Sequence, residues 1–197
     1  MSSPIVGTRT RILNAAVAML EAREGRGVSM GDIAAAAGIS RQAVYLHFAS
    51  RAELLVAATR YLDEVLNVDG RLAPSRAANS GVERLALYIE CWGHYIPDIY
   101  GVAKALLLAR DTDDAAAAAW KDRMLAMRDG CRAAIDALHS DGALAPEWTR
   151  RNAIDTLWTM LSVQNWENLT RECGWSTRQY VKAMKNLAKR AFVEEPG

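Results

Sequence analysis

The sequence predicts an all-α protein, with a three-helix head at the N-terminus followed by a larger helical body. No segment of the 197 residues shows sustained alternation of apolar and polar residues, the pattern of a half-buried strand. Instead, helix-start and helix-stop residues flank stretches in which apolar residues recur every three or four positions. Because 51% of the residues are hydrophobic and only 24% are charged, these helices can share a core. We expect nine helices.

The head is predicted from its helix caps. A first helix is expected over residues 8–23, where apolar residues recur at helical spacing. Ser29 and Asp32 have the spacing of a capping box, so a second helix follows Ser29. Gly38 ends that helix, because glycine readily adopts the left-handed conformation found at helix C-termini. Ser40 then caps a third helix, and the short link between the two helices is that of a helix-turn-helix.

The third helix, expected over residues 41–48, carries the side chains of a DNA-reading helix. In a helix-turn-helix this element lies in the major groove, and its N-terminal residues meet the base edges. Arg41 and Gln42 can hydrogen-bond guanine and adenine edges, respectively. Tyr45, His47 and Arg51 are expected to anchor the phosphate backbone. The candidate DNA-binding residues are Ser29, Ser40, Arg41, Gln42, Ala43, Tyr45, His47 and Arg51.

The charge distribution agrees with a head that faces phosphates. Residues 1–60 contain seven arginines and four acidic residues, a balance of +3, whereas the whole chain has a net charge of +1. A mildly basic end on a mildly acidic body suits contact with nucleic acid. Arg9 and Arg11, near the start of the first helix, could contact a phosphate or the minor groove, or could be ordinary surface charge.

The stretch GISRQAVYLHFASRAELL, residues 38–55, resembles the recognition helix and following helix start of the TetR family of transcriptional repressors. It shares the glycine turn, the Tyr-x-His-Phe run, a basic residue three positions later and an acidic-Leu pair. The resemblance covers about residues 8–55. It implies a TetR-like fold that binds a palindromic operator in double-stranded DNA as a homodimer. It also implies a repressor that leaves its operator when a small molecule binds the body.

Beyond the head, composition marks a change at residues 69–81. A fourth helix, capped by Ser50, is expected to run through about Val68. The next segment is rich in Gly, Pro, Ser and Asn and predicts a linker, so the expected domains are residues 1–68, for DNA binding, and 69–197, for ligand binding and dimerisation. Five further helices are expected over about 82–95, 97–110, 112–139, 146–173 and 177–193.

The body is rich in aromatic and thioether side chains, which suit a pocket for an apolar or aromatic effector. Small-molecule pockets are mostly apolar, with a few polar groups that fix orientation. Each of these residues could equally belong to an ordinary core. The candidate effector-binding residues are Trp92, Tyr95, Tyr100, Met124, Met127, Trp158, Ser162 and Trp166.

The last two long helices predict a dimer interface. The segment 146–173 is apolar on more than one face, so it must bury more than one face. One face can pack inside the subunit and another against a second copy, giving a two-fold dimer that reads two half-sites. The alternative is that both faces belong to a monomer core. The candidate interface residues are Leu157, Leu161, Tyr180, Met184, Leu187 and Ala191.

Other functions find little support in the sequence. The three cysteines are odd in number and far apart, which argues against a disulfide framework and for a reducing compartment. Cys91-x-x-His94 has a metal-like spacing but lacks the remaining ligands of a structural site. We found no catalytic motif, cofactor motif, signal peptide or membrane span, and expect a cytoplasmic regulator that is not an enzyme. A regulator whose body binds a protein partner remains the alternative.

Overall fold

The computed structural model describes residues 7–22 and 27–194, and the described residues are helical almost throughout. They contain ten α-helices rather than the nine predicted, and no β-strand apart from an isolated bridge between Leu144 and Val193. The all-α prediction is confirmed. The helices are α1 (Thr8–Ala22), α2 (Met30–Ala36), α3 (Arg41–Tyr45), α4 (Arg51–Val65), α5 (Val68–Arg76), α6 (Gly81–Ala109), α7 (Asp114–Ser140), α8 (Arg150–Met160), α9 (Val163–Glu167), a π-helical turn (Asn168–Glu172) and α10 (Thr177–Phe192).

The predicted caps of the head are present. The Ser29 hydroxyl accepts from the Asp32 N–H at 3.1 Å, and the Asp32 carboxylate accepts from the Ser29 N–H at 3.2 Å, which completes the capping box. Gly38 has φ +67°, the left-handed conformation expected of it. The Ser40 hydroxyl accepts from the Ala43 N–H at 3.1 Å and starts α3. These local signals start α2 and α3 as predicted, although α3 ends at Tyr45 rather than at the predicted residue 48.

The linker predicted over residues 69–81 is wrong for most of its length, because α5 occupies Val68–Arg76. Asn67 separates α4 from α5 with φ 52°, and its side-chain oxygen accepts from the Gly70 N–H at 3.2 Å. The Ser75 hydroxyl donates to the Arg84 carbonyl at 3.0 Å and so fixes α5 to the start of α6. A side-chain cap and a tertiary hydrogen bond therefore outweigh the loop-like composition.

Two further helix boundaries also differ from the prediction. Pro97 lies inside α6 rather than at the start of a new helix, although an interior proline costs about 3 kcal/mol. Buried residues on both sides of it, among them Ile89, Ile96 and Val102, favour continuity of the helix. Pro146 precedes α8 instead of opening it, and the helix predicted over 146–173 is divided into α8, α9 and the π-helical turn. Gly174, at φ +71°, ends that region as predicted.

Contacts between residues divide the chain into two compact units. The first comprises residues 1–66 and 99–123, and its core contains Ile12, Ile33, Leu54, Leu55 and Leu106. The second comprises residues 67–98 and 124–197, and its core contains Ile89, Ile135, Leu138, Leu157, Leu161, Tyr180 and Phe192. Residues 99–123 thus pack with the helix-turn-helix despite following it by about fifty positions in the chain. Among the described residues, no helix has both the length and the apolarity to cross a membrane.

Candidate DNA-binding surface and effector region

Residues 41–48, which we call the recognition segment, have one buried face and one exposed face. Val44 is 0% exposed and Phe48 is 1% exposed, so these two side chains attach the segment to the first unit. The Phe48 N–H donates to the Val44 carbonyl at 3.0 Å, which extends the helical turn beyond Tyr45. Arg41, Gln42 and the residues from 45 to 47 are exposed, while Ala43 is half-buried. The exposed face therefore carries most of the predicted contacts.

Arg41 and Tyr45 form a pair on this surface. An Arg41 Nη2–H donates to the Tyr45 hydroxyl at 3.4 Å, and the guanidinium carbon lies 5.7 Å from the centre of the Tyr45 ring. The hydrogen bond to Tyr45 raises the pKa of Arg41 from its already high value, so the cation persists at any pH of interest. The pair borders an open cleft of about 470 Å³ that also includes Ser29 and Met30. A lasting positive charge beside an open cleft suits contact with an anionic partner.

Arg51 has a different position from the one predicted for it. Its two terminal nitrogens donate to the Asp113 carboxylate, each at 2.6 Å, and its Nε–H donates to the Val28 carbonyl. Asp113 also accepts from the Ala115 and Ala116 N–H groups, at 3.0 and 3.2 Å, and so caps α7. The Arg51 side chain is 26% exposed and that of Asp113 is 15% exposed. Because its donors are occupied inside the unit, Arg51 acts as a positioning residue rather than a phosphate anchor, which corrects our expectation.

The arginines of α1 also divide in role. The Arg9 guanidinium carbon lies 4.8 Å from the centre of the Phe48 ring, a cation–π contact that supports the end of the recognition segment. Arg11 is exposed and donates to the Thr8 hydroxyl at 3.4 Å.

The recognition segment has one exposed side chain that the sequence reading did not select. Leu46 is 84% exposed, more than any other large hydrophobic residue of the described chain. Apolar spacing could not reveal it, because a leucine in a helical pattern is ordinarily assigned to the core. Its exposure follows from the turn: Val44 and Phe48 take the inner face, and Leu46 points away from both.

Seven of the eight candidate effector-binding residues lie in the second unit, and Tyr100 lies in the first. Tyr95, Met127 and Trp166 are buried, while Trp92, Met124, Trp158 and Ser162 are half-buried. The Trp92 and Tyr95 ring centres are 6.1 Å apart, and the Trp92 indole N–H donates to the Leu161 carbonyl at 2.7 Å. The Ser162 hydroxyl accepts from the Asn165 N–H at 3.2 Å and caps α9. The Ser162 hydroxyl, which was predicted to orient an effector, therefore already serves as a helix cap.

Several buried polar atoms of the second unit lack a hydrogen-bond partner among the described residues, and two of them belong to aromatic side chains near the candidate effector-binding residues in the sequence. These two are the Trp158 indole N–H and the Tyr180 hydroxyl. Burial raises the pKa of the Tyr180 hydroxyl well above its usual value, so the group stays a neutral donor and acceptor. A Cβ added to Gly93 would lie 3.4 Å from the Tyr180 ring, which shows that Tyr180 packs against α6 next to Trp92. Since buried polar groups are almost always paired, each of these two groups could donate to an acceptor that the chain itself does not supply.

Four of the six predicted interface residues cannot contact a partner, which corrects the expectation. Leu157, Leu161 and Tyr180 are 0% exposed and Met184 is 5% exposed within a single chain. Leu157 lies on α8, Leu161 directly follows that helix, and Tyr180 and Met184 lie on α10, which packs against α8. The remaining two, Leu187 and Ala191, lie on the outer side of α10, where Leu187 is 50% exposed. The apolar stripe predicted to form the interface is therefore mostly core.

The cysteines and histidines form no metal centre in the described part of the chain, where no cluster of three or more His, Cys, Asp or Glu side chains could hold an ion. Burial raises the pKa of Cys91, and it raises that of Cys131 to about 12, so both thiols stay protonated. Cys173 is exposed. All three are free thiols.

The geometry thus defines a class of protein: a helix-turn-helix presented on the surface of an otherwise helical chain. The family model for bacterial regulatory proteins of the tetR family matches residues 12–58. This range holds α2, α3 and the Arg51 side chain, and it ends within α4. No curated protein matches the chain.

Solved structures show the same fold over nearly the whole chain. A Rhodococcus sp. protein assigned to the TetR family of transcriptional regulators superposes with a TM-score of 0.73 at 20% identity, covering 93% of this chain and 97% of its own. A Saccharomonospora viridis protein assigned as a transcriptional regulator, in complex with choline, gives 0.73 at 19% identity, with 95% and 98% covered. NalD, the secondary repressor of the MexAB-OprM multidrug efflux pump in Pseudomonas aeruginosa, gives 0.68 at 19% identity, with 96% and 98% covered.

Residues 12–58 are therefore similar to the tetR family of bacterial regulatory proteins, and the described helices have the fold of the solved structures compared above.

Proposed function

We propose that this protein is a cytoplasmic repressor that binds a palindromic operator as a homodimer and leaves it when a small apolar or aromatic effector binds. The observation that carries the DNA-binding part is the exposed face of the recognition segment. Two buried side chains, Val44 and Phe48, fix its inner face, so the outer face is presented in one orientation. That orientation needs no rearrangement before a groove is entered.

The outer face divides into reading and anchoring residues. Arg41 and Gln42 stand at the start of α3, where a recognition helix meets base edges, and carry the donors that guanine and adenine edges accept. Tyr45 and His47 stand one turn further and are assigned to the phosphate backbone. Ser29 and Ser40 are exposed at the helix caps beside them, and the half-buried Ala43 leaves room for the approach of the DNA.

The test of this assignment begins with selection of preferred sequences from random duplexes by the full chain. Arg41→Ala and Gln42→Ala should each weaken binding to the selected site by about 5- to 150-fold, equivalent to roughly 1–3 kcal/mol per bidentate contact, and relax the preference at one position. His47→Ala should weaken binding to all sequences alike and reduce its dependence on salt. A matched control is Arg132→Ala, an exposed arginine of α7 paired with Asp129 at 2.5 Å. An equal effect of the control and Arg41→Ala would contradict the assignment.

The dimer is proposed through the outer faces of α8 and α10. Leu187 is 50% exposed, and Ala183 and Ala191 stand four positions before and after it, so a strip of small and apolar side chains runs along α10. Small side chains allow two copies of such a helix to approach closely around a two-fold axis. Two recognition helices about 34–36 Å apart would then reach successive major grooves.

The effector is proposed to bind in the second unit near Trp158 and Tyr180. The Trp158 indole N–H and the Tyr180 hydroxyl are buried donors without a partner among the described residues, and a ligand with an apolar body and one or two acceptor atoms could satisfy them. The S. viridis protein of the same fold was solved in complex with choline, which supports a small-molecule effector for this chain. A ligand acts on DNA binding only to the extent that it prefers one arrangement of the dimer.

The effector proposal is tested by screening a metabolite and dye panel for quenching of Trp fluorescence and for a raised melting temperature. Tyr180→Phe removes only the hydroxyl, so it should reduce the affinity of a compound that uses this group and leave the fold intact. Tyr61→Phe, on the half-buried surface of α4 in the first unit, is a matched control. A compound that binds the parent, Tyr180→Phe and Tyr61→Phe with equal affinity would show that the effector does not use the Tyr180 hydroxyl, which would contradict the proposed site.

A further inference from the structure

Leu46 is the residue of the recognition segment that the proposed function leaves without a role. It is 84% exposed, and it lies one helical turn after Gln42, which is also exposed. Residues four apart on a helix are neighbours on one face. Val44 and Phe48, also four apart, occupy the opposite, buried face. Gln42 and Leu46 therefore lie on the same outward face of the recognition segment.

The chemistry of the major groove limits what Leu46 can meet there. A leucine side chain has no hydrogen-bonding atom, so it gains nothing from phosphates or from the donors and acceptors of base edges. Among the groups that base pairs present in the major groove, the apolar one is the C5-methyl of thymine. A leucine on a face that enters the groove is removed from water there. Contact with the thymine methyl makes this desolvation favourable, because both groups are apolar.

We infer that Leu46 is a specificity-determining residue that packs against the C5-methyl of a thymine in each half-site. Four helical residues rise about 6 Å and a base-pair step rises about 3.4 Å, so this thymine lies within one or two base pairs of the base read by Gln42. The inference rests on the proposed DNA-binding role of the recognition segment and adds a preference for an A·T pair at one position.

The test replaces each thymine of a selected site by uracil, one position at a time. This exchange removes only the methyl group and keeps the pairing edge unchanged. For the full-length protein, uracil at one position of a half-site should weaken binding about fourfold, the effect of one buried methyl group. Leu46→Ala should bind the thymine duplex more weakly and should no longer distinguish thymine from uracil at that position.

Two controls separate contact from general damage. Leu46→Met keeps an apolar side chain of similar length and should keep the sensitivity to uracil. The salt dependence of binding should be the same for Leu46→Ala and the parent, because no phosphate contact is removed. Since Leu46 is 84% exposed, circular dichroism should show an unchanged fold.

Several results would overturn the inference. One is a parent protein indifferent to uracil at every position of its selected site. Another is a Leu46→Ala variant as sensitive as the parent at the same thymine. Both would leave the proposed function standing, whereas selection that returns no preferred sequence would remove the proposed function and this inference together.

Discussion

Replacement of Asp113 should destabilise the first unit, because Asp113 provides both a helix cap and one partner of an ion pair. Asp113 accepts two hydrogen bonds from Arg51, each at 2.6 Å, and two from the N–H groups that open α7, at 3.0 and 3.2 Å. Loss of a helix cap costs about 1 kcal/mol. An ion pair is worth about 0–1 kcal/mol when exposed, and breaking a buried one costs about 3–5 kcal/mol.

The side chains of this pair are 26% and 15% exposed, between those limits, so we assign about 1–2 kcal/mol to it. Asp113→Ala should therefore lower the free energy of unfolding by about 2–3 kcal/mol, since it loses both the cap and the pair. Asp113→Asn keeps an oxygen for the α7 N–H groups and should lose only about 1–2 kcal/mol, the contribution of the pair. Urea titration followed by circular dichroism measures both values.

Asp111→Asn is a matched control in the same turn. Its carboxylate lies 3.5 Å from Arg110 and its side chain is 83% exposed, so the change should stay within about 0.5 kcal/mol. The pH dependence gives a second readout. The hydrogen bonds from Arg51 lower the pKa of Asp113 in the folded protein, so the pair contributes stability above the unfolded value of about 3.9 and loses it as the pH falls through the folded pKa.

The difference in the free energy of unfolding between the parent and Asp113→Asn should therefore have its full value at pH 7 and become smaller below about pH 4. The reasoning would be refuted if Asp113→Asn were as stable as Asp111→Asn at pH 7, or if the difference grew on acidification.

Three further predictions concern the second unit. Leu187→Glu places a charge on the outer strip of α10 and should convert a dimer to a monomer in sedimentation velocity; a dimer that persists at micromolar concentration would exclude this face. Gly81→Ala should cost more than about 2 kcal/mol of unfolding free energy, because the added Cβ would lie 2.4 Å from the backbone of α7, whereas Gly31→Ala, with only the Ser29 hydroxyl at 3.7 Å, should be neutral or slightly stabilising. A thiol reagent should modify exposed Cys173 rapidly at pH 8 and leave Cys131 unmodified in the folded protein, since burial raises the pKa of Cys131 to about 12; equal rates would contradict its burial.

The recognition segment shows how far local sequence reaches. Ser29, Gly38 and Ser40 act within three or four residues, through side-chain caps and a permissive backbone, so their effect on α2 and α3 was readable from the chain. Local composition also predicted a linker where α5 lies, because the residues of this helix, which Asn67 caps, are those typical of a loop. A new helix was likewise predicted to start at Pro97, but α6 continues through this residue. Burial of the apolar side chains along α6 outweighs the one backbone hydrogen bond that proline cannot donate.

The sequence by itself determined the all-α class and the helix-turn-helix, because these depend on caps and periodicity between near neighbours. Tertiary structure alone decided which face of α10 is core, and hence that Tyr180 is internal while Leu187 is available to a partner. It alone paired Arg51 with Asp113, 62 positions away, and left Leu46 outside. Periodicity identifies an apolar face, but only the packing of distant segments determines what covers it.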